Sequence, residues 1–286
     1  MSVFIEIIKT VFYGIIEGIT EWLPISSTGH LILFEELFWK NTATQYPDFM
    51  EMFRVVIQLG AILAVICMYF GKLNPFSTKK DSLAKKSTWE MWFKVVLACL
   101  PAAVIGLPFN DLLDKFFYNF PTVATMLVIY GVIFVVLEST KRGEPKINDI
   151  SQMPYKTALL IGIIQLLSLI PGTSRSGVTI IGAMILGCSR TVAAEFSFFL
   201  AIPVMFGASL LKIVSFGKDI AEGTASTPNI LQIWILIVGL LIAFAVSMVA
   251  IKFLTNYVKK RDFKPFGYYR IVLGIILLAY YFIFAR

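Results

Sequence analysis

The sequence predicts an all-α polytopic membrane protein, with six full spans and two re-entrant broken-helix hairpins arranged as an inverted-topology internal repeat. Three observations lead there. Of 286 residues, 58% are hydrophobic and 15% are charged, where an average soluble domain carries roughly 25% charged residues. The apolar runs reach the ~20 residues that a helix needs to cross a bilayer. Two apolar segments are each interrupted by a proline followed by hydroxyl residues and glycine. The net charge of +7 does not signal nucleic acid, because the Lys and Arg residues sit in short stretches between apolar runs and form no aromatic-interleaved face.

The spans are expected at about 51–70, 90–109, 121–138, 191–216, 231–254 and 268–285. Residues 3–39 instead break at Pro24 with the run Ser26-Ser27-Thr28-Gly29-His30, and residues 155–188 break at Pro171 with Thr173-Ser174-Arg175-Ser176-Gly177. Each reads as a hairpin that enters and leaves on one side. Non-helical backbone at membrane depth survives only where protein or a wet cavity satisfies it, so both breaks point inward. Glu6, Glu17 and Glu21 interrupt the N-terminal stretch, which therefore reads as mature protein and not as a cleaved signal. Cys67, Cys99 and Cys188 fall in apolar runs without CxxC spacing and read as packing residues.

Loop charge tests this layout. If both hairpins return, the loops at 71–89, 139–153 and 255–265 share one face and carry twelve Lys/Arg, while those at 40–50, 110–120 and 217–230 carry three, Lys40, Lys115 and Lys218. The positive-inside rule makes the basic face cytoplasmic and puts both termini outside, with the first hairpin dipping from outside and the second from inside. A shift of 148 residues superposes Gly14-Ile15-Ile16-Glu17 on Gly162-Ile163-Ile164-Gln165, and Ser26 and Gly29 on Ser174 and Gly177; a shift of 143 pairs Gly131 with Gly274. Residues 1–148 and 149–286 are then two halves of one hairpin and three spans each. An odd number of crossings inverts one against the other and favours a site at mid-depth where the broken helices meet.

Ionisable groups inside a membrane cost at least ~2.5–3.5 kcal/mol near its centre and are functional candidates. Glu17 and Glu21, at i and i+4, stack on one helix face and can hold a divalent metal with substrate phosphate or act as general base and partner. Ser26 is placed to cap the return helix, leaving free N–H groups near Ser27 that suit an anion. Ser27 and His30, at i and i+3, bring a hydroxyl and an imidazole onto one face. His30 is the only histidine, which excludes a multi-His metal site. In the second break Arg175 offers a planar fork for phosphate oxygens, Gly172 and Gly177 allow close backbone approach, and Thr173, Ser174, Ser176 and Thr179 add hydroxyls. Gln58 and Glu195 are expected to face the cavity or to bond between helices. Arg54, Lys94, Lys212, Lys252 and Arg270 are expected to snorkel at span ends.

The runs E-G-I-T-E-W-L-P-I-S-S-T-G-H (17–30) and P-G-T-S-R-S-G-V-T (171–179) resemble the two signature motifs of the bacterial undecaprenyl pyrophosphate phosphatases, or bacitracin-resistance proteins. The resemblance extends over essentially the whole chain, including 57–65 and 195–203. It implies removal of the terminal phosphate of a polyprenyl pyrophosphate at the outer face of the bacterial cytoplasmic membrane, recycling the carrier lipid. It also implies catalytic roles for Glu21, Ser27, His30 and Arg175. Glu17, Ser26, Thr28, Gly172, Thr173, Ser174, Ser176 and Thr179 would bind substrate, and Mg²⁺ or Ca²⁺ would sit at Glu17 and Glu21. A serine nucleophile with Glu21 or His30 as base, and a water nucleophile with His30 as base, both remain open. The partners are then the lipid substrate, membrane lipids and, compatibly, a second copy of the chain. Inverted repeats and broken helices also fit a lipid-phosphate flippase or anion carrier, although a carrier has little use for two carboxylates, a hydroxyl and the only histidine in one place.

Overall fold

The computed structural model describes residues 3–106, 108–109, 116–117, 119–140 and 143–284. Lys115, Lys141 and Arg142 of the loop count, and Leu107 and Ala285 of two expected spans, lie outside the described residues. Among the described residues the regular structure is helical, with a single isolated bridge between Ile147 and Cys188.

The first broken segment runs as α1 (Val3–Thr20) and α2 (Ser27–Phe34), continuing through a π-helical turn at Glu35–Trp39. The next span is two collinear pieces, α3 (Pro47–Val56) and α4 (Gln58–Met68), followed by α5 (Ser82–Pro101) and α6 (Phe120–Ser139). The second broken segment is α7 (Tyr155–Gln165) and α8 (Arg175–Ile185). Three long helices follow: α9 (Arg190–Ala221), α10 (Ile230–Val258) and α11 (Lys264–Phe284).

Among the described residues six helices are long and apolar enough to cross a membrane, namely Pro47–Met68, Ser82–Gly106, Phe120–Ser139, Arg190–Ala221, Ile230–Val258 and Lys264–Ile283. All six expected spans fall on them, but several helices start earlier. The apolar run marks what lipid covers, whereas the helix begins where a side chain caps free N–H groups. Asp81 accepts from Ala84 N at 2.7 Å, Ser189 caps α9, and Asn229 forms a reciprocal capping box with Gln232. At 1.5 Å per residue α9 is about 48 Å long, well beyond the ~30 Å of hydrocarbon.

The two legs of each broken segment meet at their open ends. Glu6, near the start of α1, accepts from Trp39 Nε1 at 2.6 Å and from Thr42 Oγ1 at 2.8 Å. Before α7 and after α8, Ile147 N donates to Gly187 O at 3.1 Å and Ser189 N to Ile147 O at 2.9 Å. The three basic loops gather at one end of the bundle. There Lys72 pairs with Glu195 at 2.5 Å, Tyr69 with Thr255 at 3.1 Å, and Arg190 with Glu138 at 2.6 Å. Lys94 donates to the carbonyls of Ile150 and Ser151. At the other end Arg54 pairs with Glu35 and Lys212 with Glu51.

Two expectations change here, while Glu195 takes the second of the two readings open to it, a bond between helices to Lys72 of Phe70–Leu73. Cys67 is exposed on its helix, so only part of the cysteine set packs inside. Arg270 is completely buried, because its guanidinium finds backbone carbonyls inside the bundle and has no need to reach the interface.

Helices from the two halves interlock: α1 packs on α10, α7 on α5, and α6 on α11. The α6/α11 contact is set by glycines. A Cβ on Gly131 would stand 2.8 Å from Gly267 O, and one on Gly274 would stand 2.7 Å from Ala124 O. Under the 143-residue shift these two contacts exchange, Gly131 going to Gly274 and Ala124 to Gly267. Gly131→Val is therefore expected to force the helices apart and to cost about 1–3 kcal/mol, read as a lowered thermal midpoint of the purified protein in detergent.

Candidate active site

Each proline stops a helix, and the chain turns back through a serine in the left-handed region: Ser26 at φ 75° and Ser174 at φ 74°. Such a conformation costs an L-residue about 1–3 kcal/mol. It is held because each serine caps the helix that follows, Ser26 Oγ accepting from Gly29 N at 3.4 Å and Ser174 Oγ from Gly177 N at 3.1 Å. The first helical residues after the caps are Ser27 and Arg175. Hydroxyl and guanidinium thus occupy equivalent positions in the two breaks. Gly172, at φ 89°, makes the second turn possible, since a Cβ there would lie 2.5 Å from Val123 O.

Glu21 joins the two breaks. Helical bonding continues from α1 to this residue, with Glu21 N on Glu17 O at 3.0 Å, which keeps the carboxylates one turn apart. Ser27 Oγ donates to Glu21 Oε2 at 2.6 Å, and Arg175 Nη2 donates to Glu21 Oε1 at 2.7 Å. Ser176 Oγ donates to the Glu21 carbonyl at 3.0 Å. Arg175 is also fixed by Ser197 O at 2.8 Å and by the ring of Trp22, 5.7 Å from its guanidinium carbon. Its Nε, the Thr173 hydroxyl and both oxygens of Glu17 are buried without hydrogen-bond partners among the described residues. Buried polar groups are normally satisfied, so these atoms are candidates for contact with a ligand.

The other expected residues divide by what they touch. Thr179 Oγ1 is engaged by Ser197 Oγ at 2.7 Å and by the carbonyls of Arg175 and Ser176. Ser174 Oγ sits 3.2 Å from Ser176 Oγ. Thr28 is half-buried one residue beyond Ser27. His30 Nδ1 lies 2.7 Å from Ser26 O, so this nitrogen carries the proton, and Nε2 accepts from Tyr269 Oη at 2.7 Å. The hydroxyl that meets the imidazole is therefore Tyr269's and not Ser27's.

Tyr269, Arg270, Trp22 and Ser197 escaped the sequence reading. Arg270 had a signal, being a permanent charge seven residues into an apolar helix, but its closeness to the end of the run made snorkelling the natural assignment. Tyr269 and Ser197 had none, because only the tertiary contact distinguishes them from ordinary span residues.

For a divalent ion, the fit is partial. Glu17 offers a buried, unpartnered carboxylate, while both Glu21 oxygens already accept hydrogen bonds. Among the described residues no cluster of three or more His, Cys, Asp or Glu is placed to hold a metal. An ion here would draw its remaining ligands from substrate phosphate and water, as Mg²⁺ commonly does.

The family model described as bacitracin resistance protein BacA matches residues 10–276. The chain belongs to the BacA family. Relatives of it named undecaprenyl-diphosphatase include those of Acetivibrio thermocellus, 55% identical, and Enterococcus faecalis, 57% identical, each match covering 97% of this chain and 98% of the relative. A third, from Streptococcus mutans, is 57% identical over 97% of this chain and 96% of its own. The breaks on which the BacA geometry centres, at 24–30 and 171–179, lie inside the matched region.

An unpartnered buried carboxylate lowers stability unless a ligand compensates it. Glu17→Gln in this BacA protein is expected to raise stability by about 1 kcal/mol while lowering phosphate release, checked by thermal unfolding and hydrolysis on the same preparation.

Proposed function

We propose that the chain is a membrane-bound undecaprenyl-diphosphatase that splits undecaprenyl diphosphate into undecaprenyl phosphate and inorganic phosphate. Relatives of that name over nearly the full length support it. The observation that carries the chemistry is the 2.6 Å bond from Ser27 Oγ to Glu21 Oε2, made while Arg175 holds the other oxygen of the same carboxylate. Recycling of the carrier lipid then serves cell-wall synthesis, and the family's bacitracin resistance follows from the same activity.

Phosphoryl transfer asks mainly for in-line positioning and neutralisation of the equatorial oxygens. Ser27 Oγ attacks the terminal phosphorus and its proton passes to Glu21. The bond from phosphorus to the bridging oxygen breaks, and undecaprenyl phosphate leaves. Water then cleaves the phosphoserine. Arg175 and the N–H groups at the start of α2 balance the charge on the phosphate, since a helix N-terminus favours anions. Glu21 and not His30 is the base for Ser27, because the Ser27 hydroxyl already donates to Glu21 Oε2. His30 is assigned to the second half-reaction, where the incoming water displaces the Tyr269 hydroxyl from Nε2 and gives that nitrogen its proton. Glu17, together with substrate phosphate and water, would hold a divalent ion such as Mg²⁺ or Ca²⁺, which would supply further neutralisation of the diphosphate.

The broken segments are read as re-entrant hairpins and the halves as inverted repeats. Closure of each hairpin at its base supports the first reading. The paired cap serines and the exchanging glycine contacts support the second. With the basic loops cytoplasmic, the Ser27 hairpin opens to the outer face. The lipid tail would lie between spans within the bilayer.

Ser27→Ala and Arg175→Ala are each expected to lower phosphate release from undecaprenyl diphosphate by about 100-fold or more, with Glu21→Gln close behind. Acid quenching during turnover of terminally labelled substrate should leave label on wild-type protein and none on Ser27→Ala. Wild-type protein that turns over without ever carrying label would point to direct attack by water. For orientation, in a chain cleared of native cysteines, Lys79→Cys should resist a membrane-impermeant thiol reagent in intact cells and Thr224→Cys should react; the reverse pattern would overturn the outer-face assignment.

A further inference from the structure

Arg270 carries a permanent positive charge at zero exposure, with no carboxylate at ion-pair distance among the described residues. Its guanidinium donates to five backbone carbonyls. Nη1 reaches Pro24 O in the first break at 3.1 Å, and Nη2 reaches Gly172 O and Thr173 O in the second at 2.9 and 3.0 Å. Longer bonds at 3.4 and 3.5 Å run to Met126 O and Leu127 O in α6. These carbonyls belong to backbone that no helix satisfies or to a helix whose carbonyls are already used once. The adjacent residue, Tyr269, donates to His30 Nε2 at 2.7 Å, with the two rings stacked 5.6 Å apart and 2° from parallel. One dipeptide of α11 therefore holds both proline breaks and the only imidazole.

We propose that Tyr269 and Arg270 are positioning residues of the active site. Arg270 fixes the two breaks to each other, and so the separation of Ser27 from Arg175; Tyr269 fixes the plane of the His30 ring, whose tautomer is set by Ser26 O. This rests on the reading of Ser27, Arg175 and His30 given above. Lysine cannot replace Arg270, because a single ammonium has three donors at one point whereas the fork spreads five N–H groups across three segments. The buried charge has a second effect. With no carboxylate to balance it, it gains a counter-charge when the diphosphate binds nearby, so it favours binding as well as geometry.

Three variants separate these roles by steady-state phosphate release from undecaprenyl diphosphate in detergent, with thermal unfolding recorded for each. Tyr269→Phe keeps the stacked ring and loses the hydroxyl; kcat is expected to fall about tenfold at unchanged KM and unchanged thermal midpoint. Arg270→Lys keeps the charge and loses the fork, with kcat falling about 100-fold and KM little moved. Arg270→Met loses both, so the same fall in kcat is joined by a raised KM. Tyr269→Phe at wild-type kcat overturns the proposal, as does a folded Arg270→Lys at wild-type kcat. So does a fall in kcat that only tracks the fraction of folded protein, with Arg270→Met showing no change in KM. If neither Arg270 variant folds, Tyr269→Phe decides. Ser27→Ala run alongside keeps the two readings apart: full activity in that variant would remove the serine nucleophile while leaving the comparison at 269 and 270 to be read on the same release.

Discussion

The buried contact between Arg175 and Glu21 is the constraint around which the rest of the molecule is arranged. It is the point at which two interrupted helices, 154 residues apart in sequence, meet inside an apolar bundle. Either charge alone would be costly to bury, and together they offset that cost only if hydrogen bonds fill the remaining positions. Most are filled: Ser27 takes the second carboxylate oxygen, and Ser197 and the Trp22 ring hold the guanidinium, while its Nε has no hydrogen-bond partner among the described residues. The same contact that makes the charges tolerable also presents the serine hydroxyl beside a base and an anion-binding fork.

Around this point the chain accepts local costs that a purely structural protein would avoid. Two serines adopt backbone conformations that favour glycine, and Glu17 is buried with neither oxygen satisfied by the described residues. Glycine at 26 or 174 would relieve the backbone but remove the side-chain oxygen that caps the next helix. The serine is retained because both requirements act on one residue. The strained turns direct Ser27 and Arg175 toward Glu21 instead of toward lipid, and the interlocked helices around them supply the packing that holds the strain.

Much of this was legible from the sequence, for identifiable physical reasons. Long apolar runs locate spans because lipid tolerates little else, and the proline breaks locate the site because uncapped backbone must turn inward. Glu21, Ser27 and Arg175 were marked by charge or by place in the breaks, and all three meet. The helix starts were harder to read, since Asp81, Ser189 and Asn229 act outside the apolar runs. The partner of His30 was misjudged: helical spacing within one segment suggested Ser27, while the actual hydroxyl arrives from Tyr269, 239 residues away. Arg270 was placed at an interface because hydropathy records depth along a helix and not which side faces protein.

The five acceptors of Arg270 lie at positions 24, 126, 127, 172 and 173, all earlier in the chain than the residue they satisfy. During synthesis, the segments bearing the reactive groups enter the membrane before the helix that fastens them. That helix then arrives with an unpaired charge that lipid penalises and only the waiting carbonyls relieve. Docking of α11 is thus driven by the cost of leaving its arginine in hydrocarbon. Seating of α11 and the joining of the two breaks are then coupled through one guanidinium.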